Sequence, residues 1–424
     1  MRKAGLLFLF LLFAQATFAA SESSRHFVEG LFLLEKGEPE KAVVELKKAI
    51  NLNPSSAMYY RALGEAYLAM DDYSQGEVAL RQAIGLNPKD ALLHFGLSKA
   101  LAKQNQSDDA LTEAREAIRL NSKESILFNH LANLEYNQGE YGDAALHYEQ
   151  AIKLDSSDPV LHYNLGRTEY NLGKLKEAIE EYQESLSATE DGDTRFRLAE
   201  AYENLGESNL AKREYEKAIA DSPINPDYYN ALGLLLHSEP RGDTEAIANY
   251  QKAMALDPSE PAYLFNLGEA YMALGDSQRA LAAYLKVIAL DPKNSEAYAR
   301  LGRIYEIDRE WLKSAKAYEQ AVLIDPRRGF YHEKLGEIYE RLEKTDEAAL
   351  EYQKAVDLDP KDALAHYQLG LIYREKKDFE KAYAEYDAAS RWASNDKLRG
   401  RIIRAMWELP AGIGEKINTS GGRE

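Results

Sequence analysis

The chain has 424 residues, a formal net charge of −18, 45% hydrophobic residues and no cysteine. The acidity argues against nucleic acid or an anionic membrane surface as partner, because both are polyanions. The missing cysteine excludes disulfides, thiolate metal sites, cysteine nucleophiles and the modified cysteine of a bacterial lipoprotein, while the hydrophobic share suffices for a packed core.

Residues 1–20 read as a cleavable secretory signal. Arg2 and Lys3 are basic, Leu6 to Phe13 are apolar, and Thr17-Phe18-Ala19-Ala20 offers small residues for cleavage after Ala19 or Ala20. The apolar run is short of the ~20 residues that span a bilayer. The expected compartment is therefore periplasmic or secreted, with no stable membrane insertion after cleavage. The bacterial periplasm is preferred, given the short signal and the lack of disulfides. The sequons at Asn105 and Asn418 are read as chance.

From Ser23 to about Ser394 the sequence repeats itself. Leu63-Gly64-Glu65-Ala66-Tyr67 lies over Leu267-Gly268-Glu269-Ala270-Tyr271, and Pro88 over Pro292. Steps of about 34 residues give eleven units, beginning near Ser23, Ala57, Ala91, Ser125, Pro159, Gly192, Pro226, Pro261, Ser295, Gly329 and Ala363. Large residues at i, i+3 and i+7, such as Tyr298, Leu301 and Tyr305, predict a first amphipathic helix in each unit. A turn marked by Gly, Asp or Asn precedes a second helix, whose alanines make close contacts. Asp-Pro or Asn-Pro then ends it. Each pair leaves an apolar face that only stacking buries.

The pattern of a large residue, Leu-Gly, Tyr, Ala, Tyr, Ala and Pro resembles the tetratricopeptide repeat family. It is complete in Tyr298, Leu301, Gly302, Tyr305, Tyr318, Ala321 and Pro326. The resemblance implies an all-α, right-handed superhelical solenoid of about eleven helix-turn-helix repeats over residues 21–394. Departures are local: Ser122, Ser156, Glu190 and Ser394 replace the final proline, and Glu135 and Glu169 replace the first-helix tyrosine. Residues 395–410 read as a capping helix, with Leu398, Ile402, Ile403, Met406 and Trp407 packed and Arg399, Arg401 and Arg404 wet. Residues 411–424 read as a flexible tail.

No zinc, phosphate-loop or nucleophile-elbow motif is present, so no catalytic residue, metal or cofactor is expected and the chain is read as a non-enzyme. His94, His162, His332 and His366 share one place and should pack inside their pairs. Glu333, Glu337 and Glu340 should line one solvated helix face.

The resemblance further implies that places 2, 5, 9, 12 and 13 of each unit face a concave groove. There the sequence supplies Phe95, Asn129, Asn133, Tyr136, Asn137, Tyr163, Arg167, Tyr170, Asn171, Phe196 and Asn204. Asn129, Asn133 and Asn137 form a stripe at spacing four. Their amides suit the backbone of an extended peptide, and the rings supply anchors. Asparagine is also common on exposed helix surfaces, so the stripe alone does not separate the two readings. Later units, with Glu296, Glu306, Glu333, Glu337 and Glu340, should present a more acidic face suited to a basic or mixed segment. Glu181 is expected outside the groove.

These features point to an exported scaffold or adaptor that binds extended segments of envelope proteins. A chaperone-like holder of unfolded exported proteins is the alternative. A subunit of a polysaccharide or cell-wall enzyme complex is a third reading.

Overall fold

The computed structural model describes residues 21–410 and residue 413. The expected signal (1–20) and nearly all of the expected tail (411–424) lie outside the described residues. Those residues form 23 helices and no strand, as the sequence leads one to expect.

The chain divides into two compact units, Met1–Pro223 and Ile224–Glu424. The first contains six helix pairs, repeats 1 to 6, from Glu22–Glu35 with Pro39–Leu52 to Gly192–Asn204 with Ser208–Asp221. The second contains five, repeats 7 to 11, from Pro226–Ser238 with Asp243–Leu256 to Ala363–Glu375 with Phe379–Trp392. A final helix, Asp396–Trp407, follows. From Ala57 onward, every start read from the sequence is the first residue of a helix. Only repeat 1 begins one residue early, at Glu22.

The boundaries have local causes. Between the two helices of each repeat one residue adopts the left-handed conformation, among them Asp71 (φ 57°), Gly139 (φ 81°) and Glu343 (φ 59°). In every repeat but the seventh the following N–H reaches back five residues, as from Asp72 to the Tyr67 carbonyl at 3.0 Å and from Lys344 to Tyr339 at 2.9 Å. This arrangement satisfies carbonyls left free at a helix end. Between repeats, an Asp or Asn turns the chain. The Asp257 carboxylate accepts the Ser259 N–H at 2.9 Å, and that of Asp291 accepts the Lys293 N–H at 3.0 Å. A capping side chain then starts the next helix: Asp90 accepts from Leu92 N–H and Asp158 from Val160 N–H, both at 3.0 Å. Each such cap contributes about 1 kcal/mol.

The core repeats as well. Tyr148, Tyr182 and Tyr215 in the first unit occupy the same second-helix place as Tyr250, Tyr284, Tyr318, Tyr352 and Tyr386 in the second, and all are fully buried. Burying each ring stabilises by on the order of 2–3 kcal/mol. Glycine permits the approach: a Cβ on Gly302 would lie 2.7 Å from the Tyr318 ring. Repeats 1 and 2 use Leu46 and Leu80 at the tyrosine place, against Gly30 and Gly64.

The last helix is capped by Asn395, whose side chain accepts the Leu398 N–H at 2.8 Å. It buries Ile402 and Ala405, and Leu409 follows just beyond it, against Tyr367, Tyr386 and Ala389 of repeat 11. Two residues expected inside are not. Ile403 is 44% and Trp407 85% exposed, because the packed stripe runs 398, 402, 405 and 409, and they fall on its flank.

Candidate functional site

In repeats 3 to 5 the five groove places of each first helix are exposed or half-buried, and none is buried. Their helix neighbours Leu93, Leu97, Leu127, Leu131, Leu161 and Leu165 are buried. The places therefore share the face turned away from the core, as the 3.6-residue period requires.

Hydrogen bonds tie this face together across consecutive repeats. Asn171 Nδ2 donates to Tyr136 Oη at 2.8 Å, and Asn204 Nδ2 to Tyr170 Oη at 2.7 Å. Asn133 Nδ2 donates to Asn129 Oδ1 at 3.1 Å, while Tyr148 Oη donates to Asn133 Oδ1 at 2.8 Å. Asn164 Nδ2 approaches Asn129 Oδ1 at 3.4 Å. The Arg167 guanidinium lies over two rings, 4.7 Å from Tyr136 and 5.6 Å from Tyr163. Tyr136, Tyr163, Arg167, Tyr170, Asn171 and Asn204 thus form one connected surface over repeats 4 to 6. Phe196 packs on Tyr215, with centroids 5.5 Å apart. Asn137 is exposed at the end of its helix. Phe95 stands apart in repeat 3, edge-on to His130 at 5.1 Å.

This network corrects the role expected of asparagine. Both polar groups of Asn133 are spent inside the protein, and so are the amide nitrogens of Asn171 and Asn204. The ladder first holds neighbouring repeats in register, and what it leaves for a ligand is mainly carbonyl oxygen. The selection of aromatic and amide residues also passed over Lys99, Lys103, Ile126 and Val160, which occupy the same face and follow from the same spacing.

The histidines have partners that the spacing did not reveal. Nδ1 of His94, His162, His332 and His366 donates to Glu113, Glu181, Glu351 and Glu385 at 2.6, 2.7, 2.6 and 2.6 Å, each nineteen positions on. His26 repeats the pair with Glu45 at 2.6 Å. Glu181, expected outside the groove, stands on the second helix of its repeat and is held there by His162. Nε2 of His332 and His366 faces the carbonyls of Pro326 (3.1 Å) and Pro360 (3.3 Å). For His366 burial opposes the charge. The Glu385 hydrogen bond and charge, the Pro360 carbonyl and Asp362 outweigh it and hold the imidazole above its usual value.

His130 behaves oppositely: burial and the nearby Lys99 charge push it down to about 4. Ser98 Oγ donates to the Ala110 carbonyl at 2.7 Å, so the neutral His130 donates from Nε2 to Ser98 at 2.8 Å.

The two glutamates at tyrosine places differ. Glu135 is 1% exposed and accepts from His147 Nδ1 at 2.6 Å. Glu169 is 8% exposed and its Oε2 has no partner. Burial first, then the charges of Glu181, Glu177 and Glu149, against the opposing pull of Lys174, push it up to about 7.

In the second unit the acidic face is compensated from within. Arg300 donates to Glu269 at 2.7 Å and pairs with Glu296 at 3.3 Å. Lys334 pairs with Glu337 at 3.0 Å. Tyr352 Oη and Gln368 Nε2 donate to Glu340 at 2.9 and 3.2 Å. Glu333 is pushed up to about 7 by burial, against the opposing charge of Lys334. The solvated carboxylate stripe expected from spacing is therefore a partly buried, internally paired one. Among the described residues no group of three or more His, Asp or Glu is placed to hold a metal, and no helix is long and apolar enough to cross a membrane.

Comparison with known proteins agrees with the geometry. Models described as "Tetratricopeptide repeat" match residues 61–125, 130–193, 192–222, 261–294, 283–315 and 363–396, and one described as "TPR repeat" matches 30–71, 243–275 and 336–374. A comparison with curated proteins found no match. Among solved structures the chain is similar to YrrB, described as a TPR protein with an unusual peptide-binding site. The two are 25% identical over 43% of this chain and 95% of that one, with TM-score 0.38. It is similar to MamA from residue 41 onward of Desulfovibrio magneticus RS-1 (25% identical, 40% and 97% covered, TM-score 0.37) and to yeast Tom70 (14%, 93% and 99%, TM-score 0.43). Repeats of this kind mediate contacts between proteins. With models matching well over half of its length, the chain belongs to the tetratricopeptide repeat family.

Proposed function

We propose that this protein is an exported scaffold or adaptor that holds an extended segment of another envelope protein on the inner face of repeats 3 to 6. The observation that carries the reading is the unpacked first-helix face in repeats 3 to 5. It presents exposed aliphatic residues (Leu92, Ile126 and Val160 at 45–53% exposure) beside aromatic rings already fixed by hydrogen bonds and cation–π contacts. Apolar groups left exposed on a rigid, pre-ordered surface lose little entropy on binding. Contacts repeated along an array add up to useful affinity from weak single contacts. The internal use of the asparagine amides favours a defined client over a holder that pairs with any backbone. Export rests on the amino-terminal signal pattern.

A photocrosslinking amino acid at Val160 in the native cell tests the reading, with Glu180, exposed on a second helix, as the reference position. One dominant protein adduct from Val160 and none from Glu180 is expected. Many unrelated exported proteins would favour the holder, and equal or absent adducts at both positions would remove the groove reading. Amino-terminal sequencing of the isolated protein checks the export step and should begin at Ala20 or Ser21.

A further inference from the structure

The inner face of repeats 3 to 5 is electrostatically unlike the rest of the chain. Its fifteen groove places include Lys99, Lys103 and Arg167 and not one carboxylate, in a protein of net charge −18. Carboxylates occupy such places on both sides, with Glu65 in repeat 2 and Glu200 in repeat 6. Among the described residues the three cations form no ion pair and no carboxylate shares their face, whereas Arg303 and Arg341, at the same places of repeats 9 and 10, have the charges of Glu306 and Glu340 beside them at groove places of their own helices. Rings instead position two of them: Lys99 Nζ lies 5.4 Å from the Phe95 centroid, and Arg167 lies over Tyr136 and Tyr163. A ring face fixes a cation without neutralising it.

Building on the peptide-binding reading above, we infer that repeats 3 to 5 select an extended segment carrying acidic side chains among aliphatic ones. Leu92, Ile126 and Val160 stand at the same place of three consecutive first helices, one per repeat. The bonds from Asn171 to Tyr136 and between His130 and Ser98 show those helices side by side. Packed helices lie about 8–10 Å apart and an extended chain rises about 3.3 Å per residue. A segment crossing the first helices therefore meets one repeat about every three residues, and about nine residues cross all three. Aliphatic side chains at that interval reach the aliphatic row. Carboxylates near each end meet Lys99 and Lys103 at repeat 3 and Arg167 at repeat 5. Because the cations stand in two places separated by the uncharged repeat 4, a single terminal carboxylate cannot satisfy both. The ligand is an internal segment with acidic side chains.

The test is selection from a random twelve-residue peptide library displayed with its carboxyl end fused, so that only side chains supply carboxylates. The purified full chain and its Lys99→Glu/Lys103→Glu/Arg167→Glu variant serve as baits. The wild type should enrich Asp and Glu together with Leu, Ile or Phe, and the variant should reverse the charge preference. A selected peptide, resynthesised, should bind the variant about tenfold more weakly. The neutral Lys99→Gln/Lys103→Gln/Arg167→Gln variant, which should lose the preference without reversing it, keeps the test decisive if the triple reversal folds poorly. A pool without acidic enrichment, or one unchanged in the variants, overturns the inference. An Ile126→Asp/Val160→Asp variant separates the two failures. If it blocks non-acidic peptides, the peptide groove stands and only the acidic preference falls. If no selected peptide responds to it, both fall.

Discussion

The two units apply one repeat in different ways. In the second, every repeat sets glycine (Gly233, Gly268, Gly302, Gly336, Gly370) against a buried tyrosine, and the charges of its inner face are largely paired within the protein. In the first, the same place reads Gly30, Gly64, Ser98, Ala132, Gly166 and Ala199. Two first-helix tyrosines become Glu135 and Glu169, and repeats 3 to 5 carry three inner cations on a face without a carboxylate. Regular glycine–tyrosine packing marks the second unit, although Tyr250 Oη, Gln368 Oε1 and Tyr386 Oη are buried there without a partner. Departures from local consistency mark where a sequence answers to something other than its own stability.

The largest expected effect comes from breaking the regular unit. Gly302→Val forces side-chain carbon onto the Tyr318 ring and should cost roughly 3 kcal/mol. All three tryptophans, Trp311, Trp392 and Trp407, lie in the second unit, so tryptophan fluorescence during guanidinium unfolding isolates that loss. A midpoint unchanged from the wild type would mean that the glycine–tyrosine contact is not what holds the regular repeats.

The next prediction repairs the irregular unit. Below about pH 4.5 the Glu169 carboxyl is protonated in both folded and unfolded chains and contributes nothing. Above about 7 it is charged in both, and the folded chain alone bears the burial cost. Stability should therefore fall as pH rises from about 4.5 to 7. Glu169→Gln should remove that fall and stabilise by roughly 1–3 kcal/mol at pH 8, read by circular dichroism. Glu169→Tyr imports the second unit's solution, in which Tyr339 donates to Glu319 at 2.9 Å, twenty positions upstream. Glu149 waits at the equivalent position. A stabilised variant that still crosslinks its partner from Val160 would assign the cost at Glu169 to folding and not to binding.

Much of this was legible beforehand because a repeat states its rule eleven times. The period fixed the helix starts, Gly302 announced a close approach, and first-helix spacing placed Tyr163, Arg167 and Tyr170 on one face. What stayed hidden were pairings between side chains far apart in sequence. Nothing near His162 names Glu181 as its partner nineteen positions on, and nothing in the run Asn129, Asn133, Asn137 says that Tyr148 and Asn164 use its first two members. Whether a carboxylate is paired, as Glu135 is, or left with an unpartnered oxygen, as Glu169 is, depends on the second helix of its own repeat and of the one before. At the last helix, periodicity separated a wet face from a dry one but assigned Trp407 to the wrong side of the boundary.

Smaller effects test whether the regular unit can be made more regular. Its turns place Arg241, Arg309, Glu343 and Lys377 in the left-handed region, where a side chain is strained. In the first unit four of six such turns use glycine. Glu343→Gly should therefore stabilise the second unit by about 1 kcal/mol, raising the fluorescence midpoint, and no gain would mean that Glu343 makes up its strain elsewhere.

The smallest effect concerns the histidine–glutamate pair shared by both units. His366 is held above its usual value in the folded chain, so the charged form is favoured by folding. The contribution is complete below the unfolded value near 6.5 and disappears as pH rises through the higher folded value. His366→Gln, which can still donate one hydrogen bond to Glu385, should match the wild type at mildly alkaline pH and fall below it at pH 6. The difference should shrink in high salt, because only the charged part of the interaction is screened. A variant equally weakened at both pH values would show that the imidazole acts by shape alone. In that case the His366–Glu385 pair would be a packing element, with no part in the pH response of the second unit.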